Sequence, residues 1–387
     1  MTRIHCLNNI SKKGTDQLPE GYELVDELAQ ADGVLVRSAQ LHDVEFPESL
    51  LAIARAGAGV NNIPLERCAD EGIVVFNTPG ANANAVKELV LCAMFLGSRG
   101  IVDGAIWCRE NADDENIGKS AEKAKKAFAG REIMGKKLGV IGVGAIGALV
   151  ANAAIDLGMD VYGYDPYVSV DGAWRISKDV RHVTDLDDLC RECDYITIHV
   201  PAMDATKGMV GAAQIALMKE DAVLLNFSRD TLVDEDALVE ALNAGKIGRY
   251  VTDFANPKIM GAKNAIVLPH LGASTDEAEE NCAVMAVRQI VDFMENGNIT
   301  NSVNFPAVNL GPRRPQGQRI TVAHKNIPGV ISGITDALAD HGHNVANILS
   351  KSRGEYAYAL IDIDDPVGDD AYEKMSAREG VLRVRFL

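Results

Sequence analysis

The sequence predicts an α/β protein: a doubly wound cofactor-type domain inserted in a second parallel-sheet domain, with a small α+β module at the end. Three observations predict it. Short, wholly apolar runs alternate with helical patterns, as in parallel strands covered on both faces. One of these runs leads directly into a glycine-rich turn that opens a helix. The segment 319–387 instead reads strand, helix, strand, strand, helix, strand.

In chain order, GVLVRS (33–38), LAIARAG (51–57) and GIVVFNTP (72–79) read as buried strands, and a long helix starts near Asn82 and runs past Leu96. The pattern then strengthens. KLGVIGVG, DVYGYDP, YITIHVP, AVLLNFS, YVTDF and AIVLPHLG are strand-like, and helical stretches such as VDEDALVEALNAG separate most of them. This alternation is that of a doubly wound sheet. A helix over Asp276–Asn296 then carries the chain back to the first domain. AVNLGPRRPQGQ, with two Pro and two Gly in a short polar stretch, is a linker.

Bulk properties narrow the function. At 387 residues and 47% hydrophobic, the chain suits two or three domains. A net charge of −17 makes nucleic acid and anionic membranes poor partners. An anionic metabolite would need a local cluster of Arg or Lys. No apolar stretch is long enough for a bilayer, and MTRIHCLNNISKKGT lacks the apolar core of a signal peptide, so a cytoplasmic setting is expected. Seven scattered cysteines fit a reducing compartment. Cys190 and Cys193 form a lone C-x-x-C without a second pair or histidines at ligand spacing, so a structural role is expected and no metal.

Gly142-Val-Gly144-Ala-Ile-Gly147 follows the strand LGVI and opens the helix ALVANAAIDLG. Asp165 closes the next strand, about 20 residues on, where a carboxylate binds the adenosine ribose hydroxyls. Glycines let backbone N–H groups approach a pyrophosphate, and the helix N-terminus favours its charge. The negative charge of Asp165 would repel a 2′-phosphate, so NAD is expected rather than NADP.

Two further segments end strands: Asn226-Phe-Ser-Arg229 and Pro269-His270-Leu-Gly-Ala-Ser-Thr275. Ligands of open α/β sheets bind at such carboxyl ends. Oxidising a 2-hydroxy acid removes a hydride from carbon and a proton from oxygen. A neutral imidazole takes such a proton near neutral pH. A guanidinium holds the substrate carboxylate and polarises the oxygen as it becomes a carbonyl.

In this order, GVGAIG with Asp165, HVP, NFSR, TDF and PHLGAST resemble the D-isomer-specific 2-hydroxyacid dehydrogenases. VRS (36–38), RAGAGVNN (55–62) and FNTPGANANAVKEL (76–89) are similar to the branch of that family acting on 3-phosphoglycerate. The resemblance implies a Rossmann-type NAD domain over 94–273, inserted in a flavodoxin-like substrate domain over 1–93 and 274–306. A linker over 307–318 and a regulatory ACT domain over 319–387 would follow. It also implies roles. Arg229 orients substrate, and His270 is the acid/base. Ala58, Gly142, Gly144, Ala145, Ile146, Gly147, Asp165, Val200, Phe227, Ser228, Arg229, Asp253, His270, Gly272 and Ala273 line the cofactor. Arg37, Ser38, Arg55 and Gly57 meet the anionic substrate, and Lys125 matches a basic position that reaches a neighbouring subunit.

Two departures matter. Asp230 follows Arg229 where the family has Gly. Asn256 stands nearest the place of the Glu that pairs with the catalytic His. Either another carboxylate, Asp230 or Asp253, pairs with His270, or His270 works without one.

In the last segment, His324-Lys-Asn326-Ile-Pro328-Gly329 places a Pro-Gly turn between strand and helix, and Asn344 follows that helix. In resembling enzymes the matching His and two Asn bind serine between paired ACT domains. The expected activity is NAD-dependent oxidation of 3-phospho-D-glycerate, with L-serine as effector and a homodimer or homotetramer as the assembly. The rivals are a dehydrogenase of another 2-hydroxy acid, and an NAD-sensing binding protein that kept the fold.

Overall fold

The computed structural model describes residues 1–387. The chain forms two compact units, Met1–Asn82 with Glu279–Leu387, and Ala83–Ala278. The crossing expected between 93 and 94 falls inside a helix, Ala83–Ser98, that stays with the second unit.

The first unit opens with β1 (Thr2–Cys6), α1 (Lys12–Thr15), β2 (Tyr22–Val25), β3 (Gly33–Val36), β4 (Ala52–Arg55), α2 (Leu65–Asp70) and β5 (Val74–Phe76). Their parallel sheet has the order β2-β1-β3-β4-β5. The three strands expected from apolar runs are β3, β4 and β5. The sheet also contains β1 and β2, which the apolar pattern does not mark: β1 buries only Ile4, and the edge strand β2 buries nothing.

The second unit comprises α3 (Ala83–Ser98), α4 (Ile101–Glu110), α5 (Ile117–Ala124), β6 (Lys137–Ile141), α6 (Ala145–Asp156), β7 (Asp160–Tyr164), α7 (Val170–Ala173), β8 (Arg181–His182), α8 (Leu186–Glu192) and β9 (Tyr195–Ile198). It continues through α9 (Ala212–Leu217), β10 (Val223–Asn226), α10 (Glu235–Ala244), β11 (Arg249–Thr252), α11 (Pro257–Met260) and β12 (Ala265–Val267). All seven strands are parallel, in the order β12-β11-β10-β9-β6-β7-β8. Leu138, Val140, Leu225 and Val251 pack on one face with α3 and α6, through Val90, Met94, Val150 and Ala154. Ile196, Ile198 and Leu224 pack on the other with Ile215, Leu238 and Leu242. Alternation of faces along each strand makes both layers necessary. In contrast, α4 and α5 bury no residue.

Helix α12 (Asp276–Asn296) lies where the sequence places it. In the first unit its Ala283, Val287 and Ile290 pack with Ile4, Leu35, Ala54 and Phe76. Gly14 of α1 comes so close that a Cβ there would stand 2.6 Å from the Ala283 carbonyl carbon. No single helix of the chain is long and apolar enough to cross a membrane.

The remaining elements are β13 (Gln318–Lys325), α13 (Val330–Asp340), β14 (Val345–Arg353), β15 (Tyr356–Ile363), α14 (Asp369–Ser376) and β16 (Val381–Phe386), in the order the sequence predicts. Their antiparallel sheet runs β14-β15-β13-β16. One face buries Val322 and Ile361 under α13 and α14, through Ile334, Leu338 and Met375. The opposite face is not free. Ala323, Tyr358 and Leu360 share a core with Phe76, Phe293 and Phe305. Tyr358 Oη donates to Gly297 O at 2.8 Å. Beneath the sheet, Arg319 and Asp362 form an ion pair at 2.6 Å whose side chains are 1% and 6% exposed. Arg319 also donates to Asn296 O and Gly311 O. Arg385 donates to Phe293 O and Met294 O near the end of α12, and its guanidinium lies 4.6 Å over the Phe293 ring. Cations suit a helix C-terminus.

Candidate active site

In the second unit, the carboxyl ends of the parallel strands carry the candidate chemistry. After β6 the chain turns at Gly142, with φ at 85°. A Cβ on Gly142 would lie 2.6 Å from His199 O, and one on Gly147 1.9 Å from Gly142 O. Both positions therefore require glycine. Gly144, the N-cap of α6, differs: no protein atom stands within 4 Å of where its Cβ would be. The open space lies before a helix N-terminus, with Ala145 and Ile146 in the first turn, and it suits a pyrophosphate. Val200, just past β9, packs beside Gly142.

Asp165, just past β7, accepts from Val143 N at 3.0 Å and from Tyr167 N at 2.9 Å. It thus braces the glycine loop and the turn that follows its own strand. A carboxylate has about four acceptor sites, so both oxygens keep capacity for ribose hydroxyls.

The loop after β10 is tied by buried Asn226, whose Nδ2 donates to Arg229 O and whose Oδ1 accepts from Ser228 N. Ser228 Oγ donates to Ile198 O at 2.7 Å, and Phe227 is buried. These bonds hold Arg229, half-buried, with its guanidinium donating to Ser228 O.

Asp253, at the end of β11, is 1% exposed. Its Oδ2 accepts from Gly272 N at 2.9 Å, while Oδ1 is buried without a partner. Burial pushes this carboxyl above the usual carboxylate range, against the pull of nearby His270. His270, past β12, is exposed, and its ring meets the Phe254 ring edge-on at 5.1 Å. No hydrogen bond joins that ring to a carboxylate. Asn256 is engaged elsewhere: Oδ1 accepts from Lys258 N and Ile259 N as the N-cap of α11, and Nδ2 donates to Glu235. Asp230 accepts from its neighbour Thr231 N. Of the two carboxylates weighed for His270, Asp253 is the one within electrostatic reach.

In the first unit the anion-binding candidates gather at the ends of β3 and β4. Asn8 Oδ1 accepts from the N–H groups of Arg37, Ser38 and Ala39, which shapes the turn. Arg55 Nε donates to Arg37 O, and its guanidinium lies over Gly57, where a Cβ would be 2.0 Å from Nη1. Asn77 Nδ2 donates to Ala58 O. Arg37 pairs with Glu279 at 2.6 Å. The sequence reading missed Asn8 and Asn77; an Asn just past a strand end was the available signal for both. Lys125 lies in the segment following α5, exposed and paired with Glu122.

Cys190 and Cys193 are free and fully buried, and burial pushes both thiols up to about 12, which leaves them inert. In the tail, His324 is 3% exposed; Nδ1 meets Lys325 O at 2.8 Å and Nε2 is buried without a partner. Asn326 Nδ2 donates to Gly354 O. The tail trio does not form one site within the chain. Lys325 is level with Tyr356, whereas Val345 and Gln318 are both level with Ile363, so Asn344 stands at the opposite end of the sheet, about 20 Å away.

Residues 92–272 match the model of the D-isomer specific 2-hydroxyacid dehydrogenase NAD-binding domain. A D-3-phosphoglycerate dehydrogenase of Methanocaldococcus jannaschii is 38% identical over 305 residues, 76% of this chain; the chain spans 56% of that relative's length. The Escherichia coli K12 D-3-phosphoglycerate dehydrogenase is 33% identical over 358 residues, 89% of this chain and 83% of that one. Among solved structures, NAD+-bound 3-phosphoglycerate dehydrogenase of Entamoeba histolytica superposes with a TM-score of 0.62 at 27% identity, over 78% of this chain and 98% of that one. With a relative above 30% identity matched over most of both chains, this chain belongs to the D-3-phosphoglycerate dehydrogenases, NAD-dependent oxidoreductases of the D-isomer-specific 2-hydroxyacid dehydrogenase family.

Proposed function

We propose that the chain oxidises 3-phospho-D-glycerate to 3-phosphohydroxypyruvate, with Arg229 and His270 as catalytic residues. The observation that carries this reading is the convergence of the glycine loop, Arg229 and the Asp253–His270 pair on adjoining strand ends of one parallel sheet. Oxidised NAD, when bound, supplies the hydride acceptor. His270 takes the hydroxyl proton as the hydride leaves carbon, and the Asp253 charge stabilises the imidazolium. Arg229 holds the substrate carboxylate and the developing carbonyl oxygen. Arg37 and Arg55 bind the phosphate, for which Arg37 exchanges its surface partner Glu279. The expected setting is cytoplasmic, in keeping with seven free cysteines.

We further propose that the tail is an ACT domain and that L-serine inhibits turnover through it. His324 and Asn326 at one end of the sheet and Asn344 at the other favour a site shared between two copies, hence a homodimer or homotetramer. Lys125 is assigned to an adjoining subunit's substrate on the same basis of resemblance. The test is NADH formation over a panel of D-2-hydroxy acids, with and without serine. Phosphoglycerate should be preferred, and His270→Ala should lower turnover by about 10²–10⁴-fold. Preference for an unphosphorylated acid, or near-normal turnover in the variant, would overturn the assignment.

A further inference from the structure

A cavity of about 510 Å³ lies along α12 in the first unit, with Val284, Met285, Arg288, Gln289, Asp292 and Thr300 among its walls. None of these residues belongs to the catalytic constellation or to the tail trio. Arg288 and Asp292 are four residues apart on one helix, the spacing at which opposite charges ordinarily pair. Here they form no ion pair. Arg288 Nε donates to Gln17 Oε1 at 3.1 Å. Asp292 Oδ1 accepts from Asn296 Nδ2 at 2.9 Å and Asn298 Nδ2 at 3.0 Å. Neutral amides on either side hold the two charges, and both guanidinium Nη groups and the carboxylate Oδ2 stay uncommitted.

Gln289 supplies a second, independent observation. It is 9% exposed, its Nε2 donates to Asn77 O at 2.9 Å, and its Oε1 is buried with no partner. A buried acceptor left unpaired costs free energy that a ligand donor would recover. The wall thus offers a cation, an anion and an orphaned acceptor within one turn of helix, beside the apolar side chains of Val284 and Met285.

We propose that this cavity binds a free α-amino acid as its zwitterion. The ligand carboxylate pairs with the Arg288 guanidinium. The ammonium bridges Asp292 Oδ2 and Gln289 Oε1, which accept its protons. The ligand side chain lies against Val284 and Met285. A monoanion or a monocation would leave one of the two charges unanswered, so specificity is for molecules that carry both.

The experiment is calorimetry on the full chain carrying Asn344→Ala, which removes a proposed serine ligand of the tail, with L-alanine, L-methionine, propionate and ethylamine as probes. Both amino acids should bind, and neither singly charged analogue should. Arg288→Gln keeps a donor for Gln17, and Asp292→Asn keeps an acceptor for the two asparagines, so both variants should retain the parent melting temperature. Each should weaken amino-acid binding by about 10–100-fold, the usual worth of a hydrogen bond to a charged group. Absence of heat with either amino acid at millimolar concentration, equal binding of propionate, or affinity unmoved by both substitutions would overturn the proposal.

Discussion

Asp253 carries two demands that oppose each other. Burial favours its neutral form, while the neighbouring imidazole, once protonated, favours the anion. Asn256, which stands nearest the place where the family resemblance implies a glutamate, caps α11 with its side chain. The available signal for that role was the Pro that follows it, which suits the first position of a helix. Less legible was which acid would serve His270, because reach across a sheet edge depends on the packing of β11 against β12. Asp253→Asn preserves an acceptor for Gly272 N and removes only charge. Reduction of the keto acid draws its proton from the imidazolium that this charge stabilises, so kcat/KM for reduction should fall by about 10-fold or more in this variant while NADH affinity is kept. Paired rate and NADH-fluorescence measurements decide the matter. An unchanged kcat/KM would leave Asp253 only its bond to the 270–273 loop.

At the scale of elements, β9 shows how much a strand end is asked to do. Its last residues bring His199 against the glycine loop, with Nε2 at 2.9 Å from Thr197 Oγ1 and Nδ1 buried without a partner. Burial pushes this imidazole down to about 3. A histidine held neutral in the fold is fully stabilising above its unfolded pKa of about 6.5. As pH falls from there towards 3, only the unfolded chain takes up the proton, so stability declines by up to about 1.4 kcal/mol per pH unit. Between pH 7 and 5, His199→Gln should flatten the dependence of urea stability on pH, and equal slopes in the two proteins would exclude this role. The strands β3 to β7 and β9 to β12 were readable because most of their residues are apolar and covered on both faces, whereas β8 is two exposed polar residues and shows no pattern. β1 and β2 were not: β1 buries a single side chain, Ile4, and the edge strand β2 buries none, so neither has a pattern to display.

At the scale of the molecule, the tail is bonded to the first unit through its sheet, and local sequence does not announce it. Arg319 reads as a surface residue at the start of a strand, and its partner Asp362 lies 43 positions away. Removing one member of such a pair strands the other in a low-dielectric interior. Asp362→Ala should therefore cost about 3–5 kcal/mol, whereas Arg319→Met with Asp362→Leu should cost far less. Urea unfolding of the first unit measures both, and equal losses would mean that packing, not charge, dominates there. The shared core of Ile4, Leu35, Phe293, Phe305 and Leu360 has a consequence for biosynthesis. The first 82 residues leave the ribosome without the helix and sheet that complete their core. At about 5–20 residues per second, the remaining 300 or so take roughly 15–60 s to appear. The inserted unit, contiguous in sequence, has all its strands in hand first. Residues 1–82 must meanwhile wait with apolar surface uncovered, which makes that segment the one whose folding a chaperone would most assist.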